Sequence, residues 1–414
     1  MEERFDSNVV LDIAMEIGVN LLKCGAEISR VEETITYICQ SYGAKDIDVF
    51  AIPTLIVATL EYDGKTYSSK IKRNLEVSND LYRIEKFNQL SRDICRNHPS
   101  LDEVREKVQN IQNKKDYNLL LLYLGALFSA FGFALFFGGS LRDAICAGIV
   151  GIFTFSLTKI KFISKQKMLQ VLLCSLGGGL LSVLLYYIKL GENVSYIMIG
   201  GVMILIPGIY IGTSIKDVIY GDTLSGSIRL LQAFIVSLTI AAGFSVWIII
   251  FRLDIELKEM HVWYITLIAG LLGTFGFSVI FNVKYNKLIY VCLGGILTTG
   301  LYLIGQQFLN FTDYLFIPTL FAAVGISLLC ELFARILKTP TICLLLPSII
   351  ILVPGASLFF TMSNLLKFNS QELIYHFLNT LMASVAIALG MVVSQFLAQL
   401  ITTIVKEIKN RKKI

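Results

Sequence analysis

From Asn118 onward the chain is an almost unbroken series of apolar stretches, each about as long as a helix needs to cross a lipid bilayer. At 1.5 Å rise per residue, about 20 apolar residues cover the ~30 Å of hydrocarbon. Ten stretches meet this length, near residues 118 to 138, 141 to 158, 168 to 188, 194 to 213, 227 to 251, 263 to 282, 287 to 306, 312 to 331, 341 to 362 and 373 to 404. Composition agrees: 55% of the 414 residues are hydrophobic and 16% charged, against about 45–50% and about 25% in soluble chains. Backbone polar groups in hydrocarbon must be satisfied within the segment, so the expected fold class is a membrane all-α protein of ten transmembrane helices.

Most of the charge lies before this region, and residues 1–115 read as a small α+β domain. Val10, Ile13, Ala14, Ile17 and Leu21 have helical spacing, and a second helix runs from Ala26 to about Tyr42. "IDVFAIP" and "TLIVATLEYDGKTYSSKIK" read as three strands, the last two turning on Asp63-Gly64. A helix over 77 to 96 follows, and Ser100 with Glu103 begins the last helix as a capping box. The start "MEERFDSNVV" lacks the basic and apolar pattern of a signal peptide, so the N-terminus is expected in the cytoplasm.

Ten crossings then alternate the loops between two sides. Lys159, Lys161, Lys165, Lys167, Lys216, Arg229, Lys284, Lys287, Arg335 and Lys338 fall on the N-terminal side, joined by a basic cytoplasmic tail at 406–414. The opposite loops carry only Arg142, Lys189, Arg252, Lys258 and Lys367. This asymmetry predicts a multi-pass plasma-membrane protein with both termini inside.

"ILIPGIY" at 204 to 210 returns as "ILVPGAS" at 351 to 357, a shift of 147 (354 − 207). The same shift superposes Leu231 on Leu378, Ser237 on Ser384, Ala241 on Ala388 and Gly243 on Gly390. Upstream, a shift of 144 (275 − 131) brings Phe131-Gly132-Phe133 onto Phe275-Gly276-Phe277 and Gly151 onto Gly295. The chain therefore reads as two five-helix repeats, 116–252 and 262–405. Five is odd, so the second repeat enters from the opposite side, an inverted-topology arrangement used by secondary transporters. Proline removes a backbone N–H and frees a carbonyl, which in hydrocarbon calls for protein or a water-lined cavity. Paired breaks at Pro207-Gly208 and Pro354-Gly355 thus point to a central polar pathway, where the two should meet.

"GAEISRVEETI" in the first domain, "LIPG" with "IKDVIYGDTLSGSIR" in the first repeat, and "TPTICLLLPSIIILVPG" in the second resemble the threonine/serine exporter family across nearly the whole chain. The resemblance implies export of small polar amino acids, driven by a proton or potential gradient without ATP. Some relatives that divide the two halves between subunits export a dicarboxylate such as succinate, which is the alternative substrate class. A membrane-bound sensor or regulator is a further alternative.

A zwitterionic amino acid needs an anion, a cation and a hydroxyl partner. Thr213, Asp217, Asp222 and Arg229 follow the first break and supply these types; in the second repeat Asn364, Asn369 and His376 stand at their places. Asp217 and Glu331 are candidates for proton coupling, although Arg335 one turn beyond Glu331 also suits an ion pair. In the first domain Gly25, Glu27, Arg30 and Glu33 form the quoted motif, with Arg30 in reach of either glutamate. His261 and His376 have no metal-ligand partner at useful spacing, and the eight cysteines contain no CxxC pair. No catalytic constellation, cofactor, metal or nucleic-acid site is expected; the partners are the substrate, protons and the bilayer, with a homo-oligomer left open.

Overall fold

The computed structural model describes residues 7–62, 65–68, 72–73, 78–114, 117–160, 166–253, 262–309, 315–366 and 369–411. The Asp63-Gly64 turn, His261, and Lys161, Lys165, Lys258, Lys367, Lys412 and Lys413 lie outside the described residues. The chain divides into two compact units. One comprises Met1–Asp116 with Asp217–Arg229 and Phe281–Lys284; the other holds the remainder.

In the first unit, α1 (Ser7–Lys23) buries Val10, Ile13, Ala14, Ile17 and Leu21, the stripe expected from their spacing. Helix α2 (Ile28–Ser41) buries Ile28, Val31, Ile35 and Ile38. Strands β1 (Asp46–Ile52) and β2 (Leu55–Tyr62) form an antiparallel hairpin closing at Ile52 and Leu55. β3 (Lys65–Ser68) and β4 (Lys72–Arg73) both pair with β2. Alternate residues Ile56, Ala58 and Leu60 of β2 are buried, giving the sheet one core face. Helix α3 (Leu81–Asn97) starts on Asp80, whose carboxylate accepts from the Arg83 amide at 2.9 Å. Helix α4 (Leu101–Asn113) starts on Ser100, which accepts from the Glu103 amide.

The second unit is helical. Its first elements are α5 (Leu119–Phe136), α6 (Leu141–Thr158), α7 (Lys167–Tyr187), α8 (Val194–Val202), α9 (Gly208–Ile219) and α10 (Thr223–Ile250), except that the stretch Asp217–Arg229 belongs to the first unit. The series continues with α11 (Trp263–Ile280), α12 (Leu288–Leu309), α13 (Phe316–Leu337), α14 (Ile342–Ile349), α15 (Gly355–Leu366) and α16 (Ser370–Arg411). Among the described residues, eight helices are long and apolar enough to cross a membrane. Ile342–Leu352 with Gly355–Leu365 makes a pair bent by 54° that would be a ninth span. The crossing expected over 194 to 213 is instead two short helices, α8 and α9, separated by residues 203–207. Proline accounts for the interruption: lacking an N–H it suits the first position of a new helix better than the middle of an old one. The Pro207 carbonyl accepts from the Tyr210 amide, and that of Pro354 from the Leu358 amide, each at 3.0 Å.

Contacts within this unit follow the internal shifts. Gly125, early in α5, approaches Gly276 and Val279, late in α11, so the two helices run antiparallel. A Cβ on Gly132 would lie 2.9 Å from the Ala269 carbonyl oxygen, and one on Gly276 would lie 2.6 Å from that of Gly125. Gly276 and Ala269 are the 144-shifted equivalents of Gly132 and Gly125, so the contact is reciprocal. Phe133 and its equivalent Phe277 meet edge to face at 5.6 Å. Within each half, a Cβ on Gly151 would meet Ala130 at 2.7 Å and one on Gly295 would meet Thr274 at 2.6 Å, again equivalent positions. Small residues let the backbones approach where no water drives association.

Candidate functional site

The two breaks touch. A Cβ on Gly355 would stand 2.8 Å from the Met203 sulfur and 3.2 Å from Ile206 Cδ1, and buried Leu358 clusters with Ile206 and Tyr210. Pro207, Pro354 and Gly355 are buried, as is Thr213, whose hydroxyl donates to the Tyr210 carbonyl of its own helix. Gly208 opens α9 as Gly355 opens α15. At their far ends the two helices turn alike: the Asp222 amide donates to the Asp217 carbonyl at 2.9 Å, and the Asn369 amide to that of half-buried Asn364 at 3.1 Å.

In the first unit this turn, with Gly221 at φ +100°, folds the start of α10 back beside the end of α9. Arg229 and Asp217 thereby form an ion pair of 2.8 Å, with side chains 8% and 7% exposed. The second guanidinium nitrogen of Arg229 donates to the Ala26 carbonyl at 3.1 Å. That carbonyl is aimed by the close of α1: the Ala26 amide returns to Leu21 and the Gly25 amide to Leu22, with Gly25 at φ +86°. Ser225 donates to the Ala51 carbonyl at 3.4 Å, while the Ala51 amide donates to Glu32 at 2.8 Å. Burial raises the Glu32 carboxyl above its ordinary value, the Ala51 amide opposes this, and the negative charge of Asp222 adds to it.

The other expected residues have partners of their own or stand exposed. Glu27 and Arg30 form an ion pair of 3.4 Å, whereas Glu33 is exposed. Glu331 is half-buried, and Arg335 does not bridge to it but donates to the Ala398 carbonyl in α16 at 2.9 Å. His376 meets Glu372 at 3.5 Å and stacks on Phe360 at 4.9 Å. Among the described residues no His, Cys, Asp or Glu cluster suits a metal. Sequence reasoning held Ala26 and Glu32 only as part of the quoted motif, and missed Ser225 and buried Asp143, which accepts from the amides of Glu192 and Asn193 at 2.7 and 2.9 Å. Only Asp143 left a legible trace, as the third residue after the N-cap Ser140.

Eight apolar helices of membrane-crossing length, with a bent pair that would be a ninth, define a multi-span membrane protein. Residues 12–251 match the family model described as "Putative threonine/serine exporter", and residues 266–397 match that described as "Threonine/Serine exporter, ThrE". The chain belongs to this family and carries both parts fused in one polypeptide. No curated protein and no solved structure matches the chain.

Proposed function

We propose that the chain is a secondary active exporter of threonine and serine, driven by the proton or potential gradient of the plasma membrane. Its ten crossings form two inverted five-helix repeats with both termini in the cytoplasm. The observation that carries this reading is the contact between Gly355 and the Met203 to Ile206 segment, because equivalent breaks meeting in inverted halves are where such folds bind substrate. The reciprocal antiparallel contact of Gly132 and Gly276 supports the inversion. Orientation is supported by the two connections at 217–229 and 281–284, which cluster in one compact unit with the N-terminal domain.

The substrate path in this reading passes Pro207, Gly208, Pro354 and Gly355, with Thr213 and Asn364 as hydroxyl and amide partners. Asp217, Asp222 and Arg229 stand at the cytoplasmic entrance, and the proton is carried by Asp217 or Glu331. A dicarboxylate fits less well, because the charge of Arg229 is already matched by Asp217 at 2.8 Å. Proteoliposomes loaded with labelled threonine, serine or succinate test the proposal. Release of the amino acids that a protonophore abolishes is expected; succinate release alone, or no flux at all, would overturn it.

A further inference from the structure

The two connections in the first unit are held by two carbonyls of one corner, two residues apart. On one side the Ala26 carbonyl holds Arg229 and, through it, Asp217 at the end of α9. On the other the Cys24 carbonyl accepts from the Asp80 amide at 3.1 Å. The Asp80 carboxylate accepts from the Asn282 side chain at 3.1 Å, and the Leu81 amide donates to the Phe281 carbonyl at 2.9 Å. Between the two carbonyls lies Gly25. Its positive φ excludes most side chains, and a Cβ there would stand 2.9 Å from the Ser78 carbonyl oxygen and 3.0 Å from the Asn79 side-chain oxygen. A rotation at Gly25 that turned one carbonyl away would disturb the other.

We infer that the Cys24-Gly25-Ala26 corner is a coupling element, holding or releasing the 217–229 and 281–284 connections together. These connections belong to different halves: 217–229 links α9 to α10, and 281–284 follows α11. In the exporter reading on which its purpose rests, the corner makes the cytoplasmic ends of both repeats move as one during opening. The coupling itself is a free energy between two sites and is reciprocal, so perturbing either side must be felt at the other.

Hydrogen exchange on the full-length protein in lipid nanodiscs reads this without any flux. Arg229→Lys keeps a charge opposite Asp217 but loses the planar fork that also reaches Ala26. It is expected to speed exchange of the Asp80 and Leu81 amides by about tenfold. Asn282→Ala removes one side-chain hydrogen bond from the other grip and strains the left-handed backbone (φ +56°) that asparagine tolerates there. It should speed the Asp222 and Gly226 amides, which close the 217–229 turn. Acceleration confined to the connection that carries the substitution overturns the inference. Should Arg229→Lys fail to fold, the Asn282→Ala arm alone decides. Coupled exchange in a protein without threonine flux would support the corner and sink the exporter reading, so the two fail separately.

Discussion

Arg229 and Asp217, twelve residues apart in sequence, meet at 2.8 Å in a buried ion pair whose second guanidinium nitrogen reaches the Ala26 carbonyl. Two charges out of water owe their stability to each other, so removing one partner leaves the other uncompensated. Asp217→Asn should therefore lower stability by roughly 3–5 kcal/mol, while Asp217→Leu with Arg229→Met should recover most of that loss. Thermal melting of the purified protein checks the expectation; a double variant no more stable than the single one would contradict it.

The Gly25 corner gives a second expectation. Placing a side chain at φ +86° beside Ser78 and Asn79 is strained whatever its chemistry. Gly25→Ala should cost roughly 1–3 kcal/mol, and Gly25→Asn, which tolerates left-handed backbone, should cost less. The order of the two melting temperatures is the test.

Reciprocity between α5 and α11 makes a third prediction. Gly132 and Gly276 face equivalent backbone atoms, so Gly132→Ala and Gly276→Ala should destabilise alike, each by roughly 1–3 kcal/mol. Because both push the same helix pair apart, the double variant should lose less than the sum of the two. Markedly unequal single variants would argue against a two-fold relation.

At the crossing of the breaks, Gly355→Val would drive a methyl group into Met203 and Ile206. In the proposed exporter reading, threonine release should fall by at least about tenfold, and Met203→Ala should restore part of it by vacating the space. Failure of Met203→Ala to rescue a folded Gly355→Val protein would separate the packing defect from the path.

Glu32 supplies a pH dependence. Its carboxyl is raised above 4.5 by burial, so the folded chain holds this proton to higher pH than the unfolded chain does. Its contribution is therefore fully present below the unfolded value and lost as pH rises through the folded one. Glu32→Gln, which cannot ionise, should remove that loss and flatten the melting temperature above about pH 4.5 relative to wild type.

Much of the local structure was legible because it rests on short-range periodicity. The apolar stripe of α1 and the first two strands appear as written, as do the Ser100 cap and the length of eight apolar helices. In the 194 to 213 stretch the Pro-Gly break was legible but its extent was not, for a physical reason. Hydropathy averages over a window and does not register that the chain leaves 203–207, ending at Pro207, outside any helix. In the candidate site the residue types were legible but their partners were not. Asp217, Asp222 and Arg229 stood out as charges after an apolar break, yet nothing in their spacing assigned Arg229 to Asp217 rather than to a ligand. Arg335 was likewise within one turn of Glu331 and instead took a carbonyl from another helix.

By itself, the sequence determined the family and the helical membrane class, because hydropathy, proline and glycine act through the backbone within a few residues. Only the tertiary structure decided that Arg229 closes on a carbonyl 203 residues away and that Gly355 lies against Met203. Hydrogen-bond partners and close approaches depend on where distant backbone segments come to rest, and that is set by packing of the whole chain.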